Sequence, residues 1–307
     1  MPLGAPPRLS ADEATLARIA NWMSNLPSTR GESDMTAAAA GPRVTLTSAD
    51  QTRRIAVIAA EIFCVVGTLF GIGVIGTRVE ESSGGALAAT ATLIAPAGPA
   101  FSIWTPIYLG LFAYAVWQAV PANAVRARVR RTGWLAAASM VLNAAWLLVT
   151  QQGWIWVSVV VIVALALTLG TMVQRLTREP AASTWERVLL DGTFGLYLGW
   201  VAVATCANIT AALVDSGVDL GHTGNQVAAT AVLAVAAGLG VVFALRLGGR
   251  WAVAAAMAWG LVWIAVGRLG GEPRSVATGI AAVAAAVVVL LGALRWHMRR
   301  SGTAAAM

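Results

Sequence analysis

The chain has 307 residues, 58% of them hydrophobic and only 11% charged, and its mean hydropathy of +0.73 is far from the balance of a water-soluble domain. Its net charge of +7 comes from 21 basic residues, all arginine, set between apolar runs, which argues against nucleic acid as a partner and for orientation in a membrane. Cys64 and Cys206 both fall inside apolar runs, so they read as small buried hydrophobes and not as a disulfide.

Residues 1–52 contain no continuous apolar core of the kind a secretory signal has. Ser10 with Glu13 forms a capping-box pattern, followed by Leu16, Ile19, Met23 and Leu26, which predicts a short amphipathic helix on the membrane surface within a mobile cytoplasmic tail. Apolar runs long enough to cross a bilayer follow at 55–76, 99–120, 133–151, 154–174, 188–214, 226–246, 251–267 and 275–296. The expected fold is an all-α polytopic membrane protein of eight spans. The short turns "QQG" and "LGGR" require antiparallel neighbours on either side. Arg53 and Arg54, Arg126 to Arg131, Arg175 to Arg187, Arg246 with Arg250, and Arg295 to Arg300 alternate with loops that carry only Arg78, Arg268 and Arg274, so both termini are expected to be cytoplasmic. The organisation read from this is a tail over 1–52, a ligand-binding bundle over 53–216 and a membrane extension over 217–307.

Three spans carry aromatic residues beside polar ones on one helical stripe. The second places Phe101, Trp104 and Tyr108 at steps of three and four; the third places Ser139, Asn143, Trp146 and Thr150; the fifth places Tyr197, Trp200, Ala204 and Asn208. Trp104, Trp146 and Trp200 sit deeper than an interfacial belt requires, whereas Trp117, Trp134, Trp185, Trp251 and Trp296 suit the inner belt. Faces of this kind fit a flat apolar ligand, and they equally fit ordinary packing between helices. Asn143 and Asn208 must bond inward, either to a ligand or to neighbouring helices. The external loop over 77–97 is rich in Gly, Ser and Ala and reads as a movable lid, with Arg78 meeting a ligand carboxylate or pairing with Glu80 or Glu81.

Other signals are weaker. Gly71, Gly73 and Gly76 have dinucleotide-motif spacing but lie in an apolar span without a preceding strand, and Gly67 with Gly71 forms a small-xxx-small pair that suits a homodimer. Glu61 and Asp191 are intramembrane acids, read either as an ion or proton path or as protonated carboxyls bonded to a neighbouring helix, with no basic residue deep enough to partner them. His222 and His297 are too far apart for a haem or zinc site, so no metal and no required cofactor is expected. Hydrolase chemistry lacks a base beside a nucleophile. Trp259 and Trp263 either complete a substrate path or extend the bundle.

The motifs on the second, third and fifth spans resemble those of the TspO/MBR family of tryptophan-rich sensory and translocator proteins, over residues 55–214. Pro96, Trp104 and Tyr108 match its second helix; Leu142, Asn143 and Trp146 its third; Tyr197, Leu198, Trp200 and Asn208 its fifth. Leu196 replaces a proline of that pattern, Ser139 a frequent glutamine, and the usual tryptophan near Gly98 is missing. The resemblance implies a five-helix bundle, here with three further helices, that binds porphyrins or other apolar ligands near one membrane face, with Trp104, Tyr108, Asn143, Trp146, Tyr197, Trp200 and Asn208 as the site, to which the aromatic stripe of the second span adds Phe101. Neither Tyr108 nor Tyr197 is followed within five positions by arginine, so the cholesterol-type pattern is absent. The function expected is a receptor or carrier regulating tetrapyrrole level or passage in a bacterial cytoplasmic membrane. Light-dependent porphyrin breakdown, implied by the same resemblance, and proton-coupled transport through Glu61 or Asp191 are the alternatives.

Overall fold

The structure is a computed structural model that describes residues 15, 18, 20–23 and 45–305. Residues 20–23 are helical and exposed, but Ser10, Glu13, Leu16, Ile19 and Leu26 of the expected amphipathic helix lie outside the described residues. From Leu46 onward the chain forms one compact unit. It is an integral membrane protein: among the described residues, eight helices are long and apolar enough to span a bilayer.

The helices are α1 (Ser48–Gly71), α2 (Trp104–Ala119), α3 (Ala127–Gln151), α4 (Ile155–Thr177), α5 (Thr193–Asp215), α6 (Gly221–Arg246), α7 (Trp251–Gly270) and α8 (Val276–Ala305). A 3₁₀ turn over Gly98–Ile103 leads into α2, and a π turn over Arg187–Gly192 leads into α5. α1 starts earlier than hydropathy indicates because Thr47 caps it, its side chain accepting from the Asp50 N–H while the Asp50 carboxylate accepts from the Thr47 N–H at 3.0 Å. It also ends earlier, at Gly71, because Gly73 and Gly76 take the left-handed region with φ of 75° and 73°. At the start of α6, outside the membrane, Asp219 accepts from Asn225 Nδ2 at 2.8 Å and from the Gly221 N–H, which holds its carboxyl below the usual range.

α3 likewise begins with its arginines inside the helix rather than in a loop. Arg128 reaches Asp191 at 2.5 Å and Glu186 at 3.6 Å, Arg130 reaches Asp50 at 2.6 Å, and Arg131 reaches Glu179 at 2.5 Å. With these charges paired and the helical backbone internally bonded, the helix continues through a sequence that hydropathy alone treats as a boundary. Arg250, at the start of α7, joins the same network through Asp191 at 2.5 Å. This corrects the expectation that Asp191 has no basic partner: it is clasped between two arginines at the arginine-rich end of the bundle.

α3 packs on α1 and α4, α5 on α4 and α7, and α8 lies between α7 and α6, while α2 leans on α1 and α5. Close approach rests on glycines. A Cβ at Gly67 would stand 2.8 Å from Ala144 Cβ of α3, and one at Gly71 would stand 2.7 Å from a Leu147 methyl, so the pair read as a homodimer contact is used inside the chain. On α5, Gly195 and Gly199 face Ala252, Val253 and Ala256 of α7. Gly199→Ala would drive its methyl against the Val253 carbonyl oxygen, a backbone atom that cannot swing away. We expect it to cost about 1–3 kcal/mol by denaturant unfolding in mild detergent. Gly170→Ala on α4, where an added Cβ would meet no atom of another helix within 4 Å, serves as the control and is expected not to destabilise.

Candidate functional site

The aromatic residues of α2 and α5 meet at the end of the bundle opposite the arginine network. Phe101 is carried by the 3₁₀ turn, Trp104 opens α2, and Tyr108 follows one turn later, so the three share a face. Trp104 is the hub: it stacks on Tyr108 with centroids 5.1 Å apart, and meets Tyr197 at 5.8 Å and Trp200 at 6.2 Å edge-on. Phe101 sets its own edge against Trp200 at 5.8 Å. Edge-to-face and offset contacts of this kind are favoured by the ring quadrupoles, so each ring restricts its neighbours.

The polar residues divide by task. Asn208 is an interhelical tie: its Oδ1 accepts from Trp146 Nε1 at 2.8 Å, and its Nδ2 donates to Ser158 Oγ at 3.0 Å, which joins α3, α4 and α5. Asn143 donates through Nδ2 to the Tyr108 hydroxyl at 3.1 Å and to Cys64 Sγ at 3.5 Å. Tyr197 donates its hydroxyl proton to the Ser139 carbonyl at 3.2 Å. Asn143 Oδ1 and Trp200 Nε1 are buried and have no hydrogen-bond partner among the described residues. An acceptor and a donor therefore remain unused at the edge of the ring cluster, where either can serve a ligand.

Beside this cluster lies a cavity of about 440 Å³, walled by Thr68 and Gly71 of α1, Phe101, Trp104 and Tyr108 before and on α2, and Trp146 of α3. Arg78 and Glu80 stand at its loop side. Two smaller voids adjoin it, one of about 50 Å³ beneath the loop, by Trp200 and Asn208, and one of about 30 Å³ inside the bundle, by Trp104, Asn143 and Trp200. Phe101 and Trp146 wall all three, so these two rings are the partitions between them. The largest has the size usual for a small-molecule site.

A family model described as TSPO-like protein matches residues 54–295. The chain belongs to the TSPO-like family. The match runs from α1 well into α8, so the family extends over all eight helices and not only over 55–214 as the motifs indicate. The shorter reading followed from composition: the recognisable motifs need Trp, Tyr and Asn, and α6 and α8 are built largely from Ala, Val, Leu and Gly. No curated protein and no solved structure matches the chain.

In this TSPO-like bundle seven of the eight residues singled out from sequence line these voids, while Tyr197 lines none of the three and braces Trp104 from the side. Asp191 lies apart from the aromatic cluster in the arginine network, whereas Glu61 stands one turn before Cys64 on α1, near enough to interact electrostatically with Cys64, Tyr108 and Tyr197. Glu61 is buried on α1, 5% exposed, and one carboxyl oxygen has no hydrogen-bond partner among the described residues. Arg78 is exposed and makes no ion pair with Glu80 or Glu81 among the described residues, unlike the pairing expected of it.

Sequence reading missed Thr68, Leu147 and Ser158 as parts of the site. Ser158 had a usable signal, a lone hydroxyl in the run "WIWVSVVV" that must face inward in lipid. Replacing Asn208 with Leu would strand Trp146 Nε1 and leave Ser158 Oγ only its bond to the Ile155 carbonyl. We expect a loss of about 1–3 kcal/mol in unfolding measurements, since buried groups forfeit their bonds. Asp191→Asn is expected to lower stability while leaving ligand titrations unchanged, because its partners are two arginines remote from the aromatic cluster.

Proposed function

We propose that the chain is a membrane receptor or carrier that binds porphyrins or similar flat apolar ligands, and thereby regulates tetrapyrrole level or passage. The observation that carries this reading is the 440 Å³ cavity walled by Trp104, whose indole is packed against Tyr108, Tyr197 and Trp200. A ring already immobilised by three others loses little freedom when a planar ligand lies against it, so the binding energy is not spent on ordering the wall. Arg78 at the rim suits a carboxylate on the same ligand, while Asn143 and Trp200, with their unused oxygen and N–H, line the small inner void and not this cavity. Arginine distribution supports a cytoplasmic location for both termini and an external mouth for the cavity, in a bacterial cytoplasmic membrane.

A second reading, light-dependent porphyrin breakdown, draws on the contiguity of Trp104 with Tyr108, Tyr197 and Trp200, which gives an excited ligand a row of oxidisable rings in contact. Coupled transport finds less support, since Asp191 is engaged by two arginines and Glu61 alone is left to carry it.

Titration of the purified protein with protoporphyrin in the dark is expected to quench tryptophan fluorescence saturably. Trp104→Ala is expected to weaken binding by about tenfold or more, the loss of a ring contact worth roughly 1.5 kcal/mol. Trp154→Phe, at an exposed position, should leave it unchanged. Absence of saturable quenching in the wild type would sink the proposal, and light-driven conversion of the bound porphyrin would favour the second reading.

A further inference from the structure

The segment joining α1 to α2 has two unlike edges. Residues 72–78 are all exposed, whereas Thr92 and residues 94–96 are buried. What buries the second edge is α7, a helix from the part of the chain to which sequence motifs assigned no role.

Arg268, in the last turn of α7, is only 1% exposed. Its Nη1 donates to the Thr92 carbonyl at 2.8 Å, and its Nη2 to the carbonyls of Ala89 at 2.8 Å and Glu272 at 3.2 Å. One turn and two turns earlier on the same helix, the Trp263 carbonyl accepts from the Ala97 N–H at 3.2 Å, and Trp259 Nε1 donates to the Ala100 carbonyl at 2.9 Å. Three α7 residues thus hold the backbone of 89–100 by hydrogen bonds, and that backbone continues directly into Phe101 and Trp104. A guanidinium buried among carbonyl oxygens does not release them cheaply, because its charge would then lack partners in a low-dielectric setting.

The first edge is held differently. Thr77 bonds to Gln151 at the solvent-exposed end of α3, and Ser83 Oγ donates to the Thr150 carbonyl at 2.9 Å. The Thr77 bonds are exposed and water can replace them at little cost; the Ser83 bond is half-buried, and the Val79 N–H adds a bond to the Gly71 carbonyl of α1 at 3.1 Å. This is also the edge that covers the cavity, through Arg78, Val79 and Glu80.

We propose that α7 is the hinge plate of the loop: Arg268, Trp263 and Trp259 fix residues 89–100, so the flap lifts at its α1 edge, and ligand passes in and out beneath residues 72–82, over Thr68 and Trp104. This gives the C-terminal helices a task, positioning the aromatic turn and setting the direction in which the site opens. It rests on the proposed binding function only in naming what passes; the hinge itself is a property of the free protein.

Hydrogen exchange on the ligand-free protein in detergent reads the hinge directly. The Ala97 amide, bonded to the Trp263 carbonyl, and the Ala95 amide should exchange far more slowly than the amides of Gly76, Thr77 and Arg78, none of which donates to a backbone carbonyl among the described residues. Arg268→Met should speed exchange across 89–97 by about tenfold or more with α1 to α5 unaltered, and Arg268→Lys should restore part of the protection. Should Arg268→Met fail to fold, Trp259→Phe removes one donor and keeps the ring, and is expected to accelerate exchange at 98–101 alone. Equal exchange at the two edges in the wild type, or unchanged exchange over 89–101 in the folded variants, would overturn the hinge. With protoporphyrin, the Arg268→Met protein should show association and dissociation rates that rise together. If no binding is seen in any form, the proposed ligand is wrong while the exchange data still decide the hinge.

Discussion

Hydrocarbon offers no hydrogen bonds, and every polar group carried into it must find a partner within the chain. Much of the architecture follows from that condition. The arginines at one end are seated on Asp50, Glu179, Glu186 and Asp191, which lets α3 begin inside a charged stretch and draws the start of α7 against the turn before α5. Toward the opposite end, Asn208 serves the indole of Trp146 and the hydroxyl of Ser158 at once, and so fixes the relative rotation of three helices. At the far end, the Arg268 guanidinium is matched to backbone carbonyls of the loop. Of the buried atoms left without a hydrogen bond among the described residues, Asn143 Oδ1 and Trp200 Nε1 are the two at the aromatic cluster.

α5 shows how packing and site are joined. Tyr197 and Trp200 turn one face toward Trp104, while Gly195 and Gly199 turn the other toward α7, with Gly199 and Trp200 adjacent in sequence. The helix is therefore clamped from behind at the level where it supports the rings. A bulky residue at either glycine would shift the aromatic wall as well as the contact with α7.

The number and order of the helices were legible in the sequence because a span needs length and apolarity and little else. Helix ends were less so. The starts of α1 and α3 depend on a cap at Thr47 and on ion pairs to residues as distant in sequence as Asp50 from Arg130, which periodicity does not encode. For the candidate site, stripes of Trp, Tyr and Asn picked out faces that the fold brings together. They could not say that Asn208 is consumed by Trp146 and Ser158 while Asn143 keeps an oxygen open, since that depends on which helices become neighbours. Arg268 read as a loop charge marking orientation; only the fold shows it buried and bonded to the loop before α2.

The glycine face of α5 has one more consequence. Small-residue surfaces are where membrane helices from separate chains come together, but here that surface is already filled by a helix on the same polypeptide. A covalently tethered occupant is present at an effective concentration that a second copy in the bilayer cannot match. The face is thus withdrawn from self-assembly, and any higher-order complex must form through other surfaces, leaving each chain with its own complete cavity and an intact wall of rings.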